Sequence, residues 1–175
     1  MDTMDKIIFN INRYLFLAES KIHNKGIFAA EEIPPGKKIL EYTGELISKE
    51  EGTRRENNSI LHTKKNPSKA GTYILEIDEK NDLDGDIEGN YAKYINHSCE
   101  PNCEFDISKK RVWITTLKKI NKREELLLNY GFEWNEKEYQ KHPCRCGSKK
   151  CVGYILEEES WPKLKEYLTK NKPKK

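Results

Sequence analysis

Five cysteines are the side chains of this sequence that most clearly suggest chemistry, and they fall into two groups. Cys99 and Cys103 lie close together, while Cys144, Cys146 and Cys151 lie within eight residues of one another. Zn²⁺ in a structural site takes four tetrahedral ligands, and cysteine thiolates are among the commonest of them. The second group supplies three thiolates, so it predicts a zinc site with one further ligand. The candidates for that ligand are Cys99, Cys103 and His142.

Two other runs concentrate polar side chains that could bind or catalyse. Residues 94–102 read Tyr-Ile-Asn-His-Ser-Cys-Glu-Pro-Asn, and residues 125–132 read Glu-Leu-Leu-Leu-Asn-Tyr-Gly-Phe. Taken singly, His97 could be a core histidine and Tyr130 a core tyrosine with a hydrogen-bonded hydroxyl. The two runs are therefore candidate functional segments whose role depends on the elements that position them.

Short apolar runs, several of them alternating or β-branched, predict a β-rich domain around these clusters. Residues 48–71 begin like a helix, with Ser48 as N-cap and Glu51 three positions later. The rest of that stretch is polar and irregular in pattern, and we interpret it as an insertion on the surface. The predicted strands are residues 14–17, 26–30, 38–42, 72–78, 111–117 and 125–128.

The last third of the chain changes in character. Residues 135–151 hold eight charged or His side chains and three of the five cysteines, with almost no aliphatic residues. Such a segment should be unable to bury a core of its own and should need a metal to fix it. Residues 157–168 have apolar side chains at helical spacing and predict a short amphipathic helix. Residues 170–175 are basic and are interpreted as a solvated tail.

The composition excludes several classes of function. The chain has 175 residues, 35% of them hydrophobic, and a net charge of +3. No apolar run is long enough to cross a membrane, and the charge is too balanced to imply direct DNA binding. An odd number of cysteines without a secretory signal favours reduced thiols. Dinucleotide, phosphate-loop and zincin motifs are absent, and the acidic residues 82–86 lack calcium-loop spacing and are interpreted as a turn.

In their order, these runs resemble the SET-domain protein lysine methyltransferases. The run Cys144-x-Cys146-x₄-Cys151-x-Gly153 resembles the post-SET zinc segment of that family. The resemblance implies a mainly β SET fold (β-clip), with several small twisted sheets around a pseudo-knot and short helices. The matching segments are residues 25–29, 41–45, 72–78, 89–90, 96–102 and 125–130. The implied domains are an N-terminal flank (1–11), a SET domain (12–132) with a variable insert (48–71), a post-SET zinc segment (133–156), and a C-terminal helix with a basic tail (157–175).

The resemblance further implies an enzyme that transfers methyl groups from S-adenosylmethionine to the ε-amine of a protein lysine, commonly in a histone tail. The lysine channel would be lined by Tyr130, Tyr42 and Tyr73. The zinc ligands would be Cys99, Cys144, Cys146 and Cys151, with Cys103 uninvolved. The cofactor-binding residues would be His23, Lys25, Gly26, Tyr73, Asn96, His97 and Arg145.

Two positions depart from the family pattern. Asn24 stands where the family has the first glycine of a Gly-x-Gly turn, and asparagine is the next-best residue for positive φ. Leu128 stands two residues before Tyr130, where many members carry Phe or Tyr. A smaller side chain without a hydroxyl leaves more room, which predicts di- or trimethylation.

These expectations leave other functions open. The expected partner is a histone tail or nucleosome, in the nucleus or at chromatin, with no membrane association. One alternative is a methyltransferase of a non-histone protein, which would also fit a cytoplasmic location. Another is a catalytically inactive zinc module that binds peptide or nucleic acid.

Overall fold

The structure is a computed structural model that describes residues 7–65 and 73–171. The chain divides into two compact units. The first draws on Met1–Lys37, Tyr94–Glu104 and Thr116–Lys175, and the second on Lys38–Lys93 and Phe105–Thr115. Each unit is therefore assembled from stretches that lie far apart in the sequence. In the two described ranges, no helix has the length and apolar character that crossing a bilayer requires.

Eleven strands and two α-helices are found in the described residues. In chain order the strands are β1 (Ile7–Asn10), β2 (Leu15–Glu19), β3 (Lys25–Ala29), β4 (Lys38–Tyr42), β5 (Glu45–Ser48), β6 (Ile74–Glu76), β7 (Asn81–Asp84), β8 (Asn96–His97), β9 (Cys103–Ser108), β10 (Arg111–Thr116) and β11 (Leu127–Leu128). The helices are α1 (Lys49–Lys65) and α2 (Trp161–Lys170).

The strands form four small sheets, in the orders β1-β2-β3, β4-β10-β9, β11-β8 and β5-β7-β6. β8 and β11 pair in parallel, whereas β1-β2-β3 and β5-β7-β6 are antiparallel. The expectation of a mainly β fold of several small sheets is therefore confirmed. β4 coincides with the strand predicted at 38–42, and β2, β3, β10 and β11 overlap their predicted ranges.

In the first unit, β2 and β3 are held by continuous apolar stretches rather than by alternation. Residues 15–18 and 27–29 are all at most 7% exposed, and the rings of Phe16 and Phe28 stack with centroids 5.7 Å apart. Full burial of such a side chain contributes roughly 1.5–3 kcal/mol. These two strands give a fixed base to the turn that joins them, residues 20–24.

In the second unit, residues 49–65 form one helix, which corrects the interpretation of the insertion as irregular after its first turn. The N-cap prediction holds, because the Ser48 hydroxyl accepts the Glu51 N–H at 3.2 Å. Arg55 then donates to Glu51 and to Asp84 of β7, at 2.7 and 2.8 Å. Apart from Gly52, residues 49–59 of this helix all have polar side chains, so this part of the helix has no apolar periodicity and is attached to its own sheet by ion pairs.

The acidic residues 82–86 were interpreted as a turn, and that interpretation is wrong for residues 82–84, which are in a strand. Asn81–Asp84 is β7, the central strand of its sheet, with Leu83 only 6% exposed. Cations of the same unit pair with four aspartates along this part of the chain. The pairs are Asp78 with Lys110 (3.6 Å), Asp82 with Lys49 (2.8 Å), Asp84 with Arg55 (2.8 Å) and Asp86 with Lys93 (3.1 Å).

The C-terminal segment of the first unit contains a separate core, to which residues 135–151, expected to bury no core of their own, contribute only Tyr139. Tyr139, Leu156 and Leu164 are at most 4% exposed. The residues that pack around them are mostly aromatic, and for this reason the scarcity of aliphatic residues in the sequence did not indicate this core. They are Trp134, Val152, Tyr154, Trp161 and Tyr167. The predicted C-terminal helix is confirmed as α2, whose residue Leu164 faces this cluster.

Candidate functional site

The two polar runs singled out in the sequence lie side by side in the first unit. β8 and β11 pair in register, with Leu127 opposite Asn96 and Leu128 opposite His97. The backbone N–H of Ser98 continues the pairing by donating to the Leu128 carbonyl at 2.8 Å. The side chain of Asn102 completes it, accepting the Leu127 N–H at 2.7 Å and donating to the Glu125 carbonyl at 2.8 Å. Residues 96–102 and 125–130 therefore form one local structure.

Tyr130 lies two residues after β11 and is half-buried. Its hydroxyl donates to the carbonyl oxygen of Ile95 at 2.9 Å. Because the proton is committed to that carbonyl, the hydroxyl oxygen meets any further group as an acceptor. The geometry suits contact with weakly acidic C–H groups better than donation to a nucleophile.

The imidazole of His97 packs against the same tyrosine. The rings are 5.3 Å apart at 60°, and the Tyr130 backbone N–H donates to Nδ1 of His97 at 3.2 Å. His97 is only 4% exposed, and burial lowers its pKa to about 4. The ring is therefore neutral near neutral pH and holds the backbone of Tyr130 in place.

Asn96 directs its side-chain amide into the protein. Its Nδ2 donates to the Lys25 carbonyl at 2.9 Å and to Glu125 Oε1 at 2.7 Å. The other carboxylate oxygen of Glu125 accepts the Ser20 hydroxyl at 3.0 Å. The Glu125 carboxylate therefore joins Ser20, directly after β2, to Asn96 of β8. The Asn96 amide also reaches Lys25 at the start of β3, directly after the 20–24 turn.

That turn has the backbone geometry its sequence implied. Asn24 adopts a φ of 41°, so asparagine does replace glycine at a position of positive φ. Gly26 approaches Glu125 so closely that an added Cβ would lie 2.3 Å from Oε1. The Lys25 ammonium lies 5.6 Å from the centroid of the Tyr94 ring, and among the described residues it has no carboxylate partner. Lys25 and its neighbour His23 are exposed and can meet a ligand.

Four of the five cysteines meet in the first unit. The sulfurs of Cys99, Cys144, Cys146 and Cys151 all lie within 4.8 Å of one another. None of the cysteines is in a disulfide, and Cys99 Sγ is 3.8 Å from Cys144 Sγ. Four sulfurs each about 2.3 Å from a central zinc would lie about 3.8 Å apart, so the cluster has suitable dimensions. Cys103 is buried outside the cluster, and His142 instead packs its ring on Phe132.

Local backbone turns bring the three C-terminal cysteines together. The N–H of Cys144 donates to the Gly153 carbonyl at 2.9 Å, and that of Cys151 donates to Ser148 at 3.2 Å. Gly147 and Gly153 have φ values of 68° and 86°, a region that favours glycine. Arg145, the remaining predicted cofactor residue, is exposed in this loop.

The two other predicted channel tyrosines belong to the second unit. Tyr42 is 7% exposed, and its hydroxyl donates to the carbonyl of Tyr73 at 2.7 Å. Its ring packs edge-on against Phe105, and Gly85 lies so close that a Cβ there would be 2.3 Å from the Tyr42 oxygen. The proton of the Tyr42 hydroxyl is thus committed, so Tyr42 would meet a ligand through its ring or through its hydroxyl oxygen as an acceptor. Tyr73 is partly exposed, with the Lys93 ammonium 5.6 Å from its ring centroid.

Sequence reasoning did not assign roles to three residues that organise this region. Glu125 stood within a matched segment, and its carboxylate was the available signal. Ser20 and Ile95 act only through a hydroxyl and a backbone carbonyl, and nothing in their local sequence marks them.

Comparison with known proteins supplies the family context. The model of the family described as "SET domain" matches residues 24–131. Among curated proteins, "Histone-lysine N-methyltransferase, H3 lysine-4 specific" of Chaetomium globosum is 37% identical over 145 residues, which cover 79% of this chain and 13% of that protein. "Histone-lysine N-methyltransferase trithorax" of Drosophila melanogaster is 34% identical over 146 residues, covering 81% of this chain and 4% of that protein. The chain therefore spans a small part of the length of these relatives.

A similar solved structure is a chain of "Chaetomium thermophilum Polycomb Repressive Complex 2 bound to GSK126". The two are 35% identical with a TM-score of 0.57, and the match covers 67% of this chain and 16% of the other. The likeness therefore extends from sequence to fold over about two thirds of the chain.

Proposed function

Because the chain belongs to the SET-domain family, we propose that it transfers methyl groups from S-adenosylmethionine to the ε-amine of a protein lysine, with a histone tail as substrate. The observation that carries the proposal is Tyr130, whose hydroxyl is oriented by the Ile95 carbonyl and whose backbone is held by His97. A histone substrate is supported by the names of the relatives, and chromatin in the nucleus is the matching location.

The residues of the 20–24 turn and of the start of β3 fit the cofactor. S-adenosylmethionine would supply an electrophilic methyl carbon on a positively charged sulfur. The exposed Lys25 ammonium, which has no carboxylate partner in the described residues, would face the carboxylate of its amino-acid portion. The backbones of Asn96 and His97 would contact the same ligand, since the Asn96 amide donors are already engaged. His23, Gly26, Tyr73 and Arg145 remain predicted contacts.

The chain must present the substrate lysine as a neutral amine. A free lysine side chain has a pKa of about 10.4, so it is charged at neutral pH. A desolvated site beside a positive charge lowers the pKa by disfavouring the ammonium form. Tyr130 would then orient the methyl group through C–H···O contacts to its hydroxyl oxygen. Tyr42 and Tyr73 remain predicted walls of the lysine channel.

The product is proposed to be di- or trimethyl-lysine. The reason is Leu128, which is 1% exposed and pairs with His97 directly before the Asn129-Tyr130 step. Its side chain has no hydroxyl with which to hold a water or an amine, so it does not restrict the number of methyl groups by hydrogen bonding.

Zn²⁺ is proposed as the ion of the four-cysteine cluster. The donor set is four thiolates at suitable separations, which is the chemistry of a closed structural site. The ion would fasten the 144–151 loop to Cys99, three residues after Asn96. Its role would be to hold structure rather than to take part in methyl transfer.

A substrate panel with labelled S-adenosylmethionine tests the proposed function. Core histones, nucleosomes and a cell lysate would each be incubated with the protein, and label incorporation would be measured. Label on a lysine of a histone supports the proposal, while label confined to lysate proteins would replace histones as the substrate. Calorimetry that detects no cofactor binding would overturn the enzymatic assignment in favour of a binding module.

A further inference from the structure

The side chain of His97 touches two groups of different kinds. Nδ1 lies 3.2 Å from the backbone nitrogen of Tyr130, and Nε2 lies 3.7 Å from Cys99 Sγ. His97 is 4% exposed and Cys99 is also 4% exposed, so the protein rather than water surrounds both contacts. The imidazole therefore spans the gap between the tyrosine and the cysteine cluster.

The chemistry of the two contacts settles which nitrogen bears the proton. A backbone N–H can only donate, so Nδ1 must be the acceptor from Tyr130. A neutral imidazole that accepts at Nδ1 carries its hydrogen on Nε2. That hydrogen points at the sulfur of Cys99, which can accept it.

Cys99 is a suitable acceptor when a metal is bound. A dication held by four thiolates leaves an excess of negative charge on the sulfurs, and N–H donors to such sulfurs relieve it. Other neighbours of Cys99 Sγ include Cys144 Sγ at 3.8 Å and the Tyr154 carbonyl at 4.0 Å, neither of which can donate a hydrogen to a metal-bound thiolate. The backbone N–H of Val152 also donates to Cys99, so His97 would be a second donor to this sulfur and the one that leads to Tyr130.

We propose that His97 is a positioning residue that connects the four-cysteine metal centre to Tyr130, donating from Nε2 to the Cys99 thiolate while Nδ1 fixes the Tyr130 backbone. The inference rests on the proposed function for the role of Tyr130. It adds that metal occupancy and the placement of Tyr130 are energetically linked. Loss of the metal therefore loosens Tyr130 as well as the 144–151 loop.

Two substitutions test the two hydrogen bonds of His97 separately. His97→Asn keeps an acceptor oxygen near the Nδ1 position but is too short to reach Cys99. His97→Gln can place an N–H near the Nε2 position but offers no acceptor where Nδ1 was. We expect His97→Asn to weaken metal affinity by about 10- to 100-fold, the usual cost of losing a group that supports a metal ligand. His97→Gln should retain metal affinity and lose hydrogen-exchange protection at the Tyr130 amide.

Spectroscopy of the metal centre gives a measurement that would not change if His97 had only a structural role. With Co²⁺ in place of zinc, the sulfur-to-cobalt charge-transfer band should shift in His97→Asn and stay in place in His97→Gln. Cys103→Ser, a buried cysteine outside the cluster, is the matched control and should leave the band unchanged. Equal shifts in both His97 variants, or none in either, would overturn the proposal.

A measurement on the unsubstituted protein avoids any dependence on how the variants fold. Nitrogen NMR of the imidazole reports the tautomer, and a magnetically active cadmium ion in the cluster should show scalar coupling to the Nε2 hydrogen of His97. A proton found on Nδ1 of His97 would contradict the inference. None of these measurements needs turnover. Absence of methyltransferase activity would therefore disprove the proposed function, whereas the link between the metal centre and Tyr130 is tested separately by these measurements.

Discussion

Three side chains around Tyr130 have hydrogen bonds that restrict what each of them can do. The Tyr130 hydroxyl donates to Ile95, His97 Nδ1 accepts from the Tyr130 backbone, and the Asn96 amide donors go to Lys25 and Glu125. A residue whose proton is already committed acts on a ligand as an acceptor or through its backbone. The chemistry at this scale depends on the direction of donors more than on residue type.

Tyr130→Phe tests the role of that hydroxyl. The oxygen would be lost from beside the transferred methyl group, and each weak C–H···O contact contributes about 0.5–1 kcal/mol. With some loss of positioning as well, we expect turnover to fall about 10- to 100-fold. Cofactor affinity measured by calorimetry should be retained. Tyr154→Phe, in the C-terminal aromatic cluster, is the control; an equal fall in that variant would show that the effect is not specific.

Leu128→Tyr tests the proposed degree of methylation. A tyrosine hydroxyl at this position can hold a water or the amine and leaves less room for a second methyl group. Mass spectrometry of the product peptide should show the distribution move towards monomethyl-lysine. A starting protein that stalls at monomethyl-lysine, or a variant with an unchanged distribution, would contradict the reasoning from Leu128.

Secondary-structure elements place these residues through contacts at their ends. β8 and β11 contribute two residues each, and their pairing is extended by the side chain of Asn102. The β2–β3 turn is joined to the same place by Glu125, which accepts from Ser20 and Asn96. α2 contributes from the C-terminal side by burying Leu164 in the aromatic cluster. These short strands are thus positioned by side-chain hydrogen bonds rather than by long ladders of backbone hydrogen bonds.

Gly26→Ala should show how tightly β3 is set against Glu125. The new Cβ would lie 2.3 Å from Oε1, and the carboxylate can move only by weakening its bonds to Asn96 and Ser20. We expect a loss of about 1–3 kcal/mol in the free energy of unfolding, measured by urea titration, and weaker cofactor binding. Adding Glu125→Asp, which withdraws the carboxylate, should recover part of the loss. A single variant as stable as the parent would refute the close approach.

Leu164→Ala should release α2 from the C-terminal cluster. Leu164 is 3% exposed, and such a truncation in a packed core costs about 2–5 kcal/mol. Hydrogen exchange of the α2 amides should accelerate accordingly. Leu168→Ala makes the same change on the same helix at a residue that is 39% exposed, and its effect should stay within about 0.5 kcal/mol. Similar exchange rates in the two variants would mean that α2 does not depend on this contact.

At the scale of the whole molecule, segments distant in sequence depend on one another for structure. The first unit joins three separate stretches of chain, and the cysteine cluster unites Cys99 with residues 144–151. The aromatic cluster gives the C-terminal segment a second attachment that needs no metal. If the proposed ion is bound, its removal should therefore loosen the 144–151 loop without unfolding α2.

Cys99→Ser tests the ligand set and its consequence. Replacing one of four thiolates should release the metal, which mass spectrometry under non-denaturing conditions can count. Cofactor Kd should rise, because Cys99 lies three residues from Asn96 and its loop would be freed. Cys103→Ser should keep the metal. Equal metal loss from the two variants would refute the assignment of Cys99 over Cys103.

The sequence alone determined which chemistry was available. The order of polar segments and the spacing of Cys144, Cys146 and Cys151 pointed to the family and to a thiolate metal site, because these depend on residue type and local spacing. Tertiary structure alone decided what each group contacts. The joining of Ser20 and Asn96 by Glu125 and the two contacts of His97 depend on residues separated in the chain or on side-chain direction. The sulfur of Cys99, which the family resemblance implied as the fourth ligand, lies in the cysteine cluster. The helix at 49–65 beyond its first turn and the core around Tyr139 escaped prediction, because ion pairs and aromatic packing leave no simple periodicity.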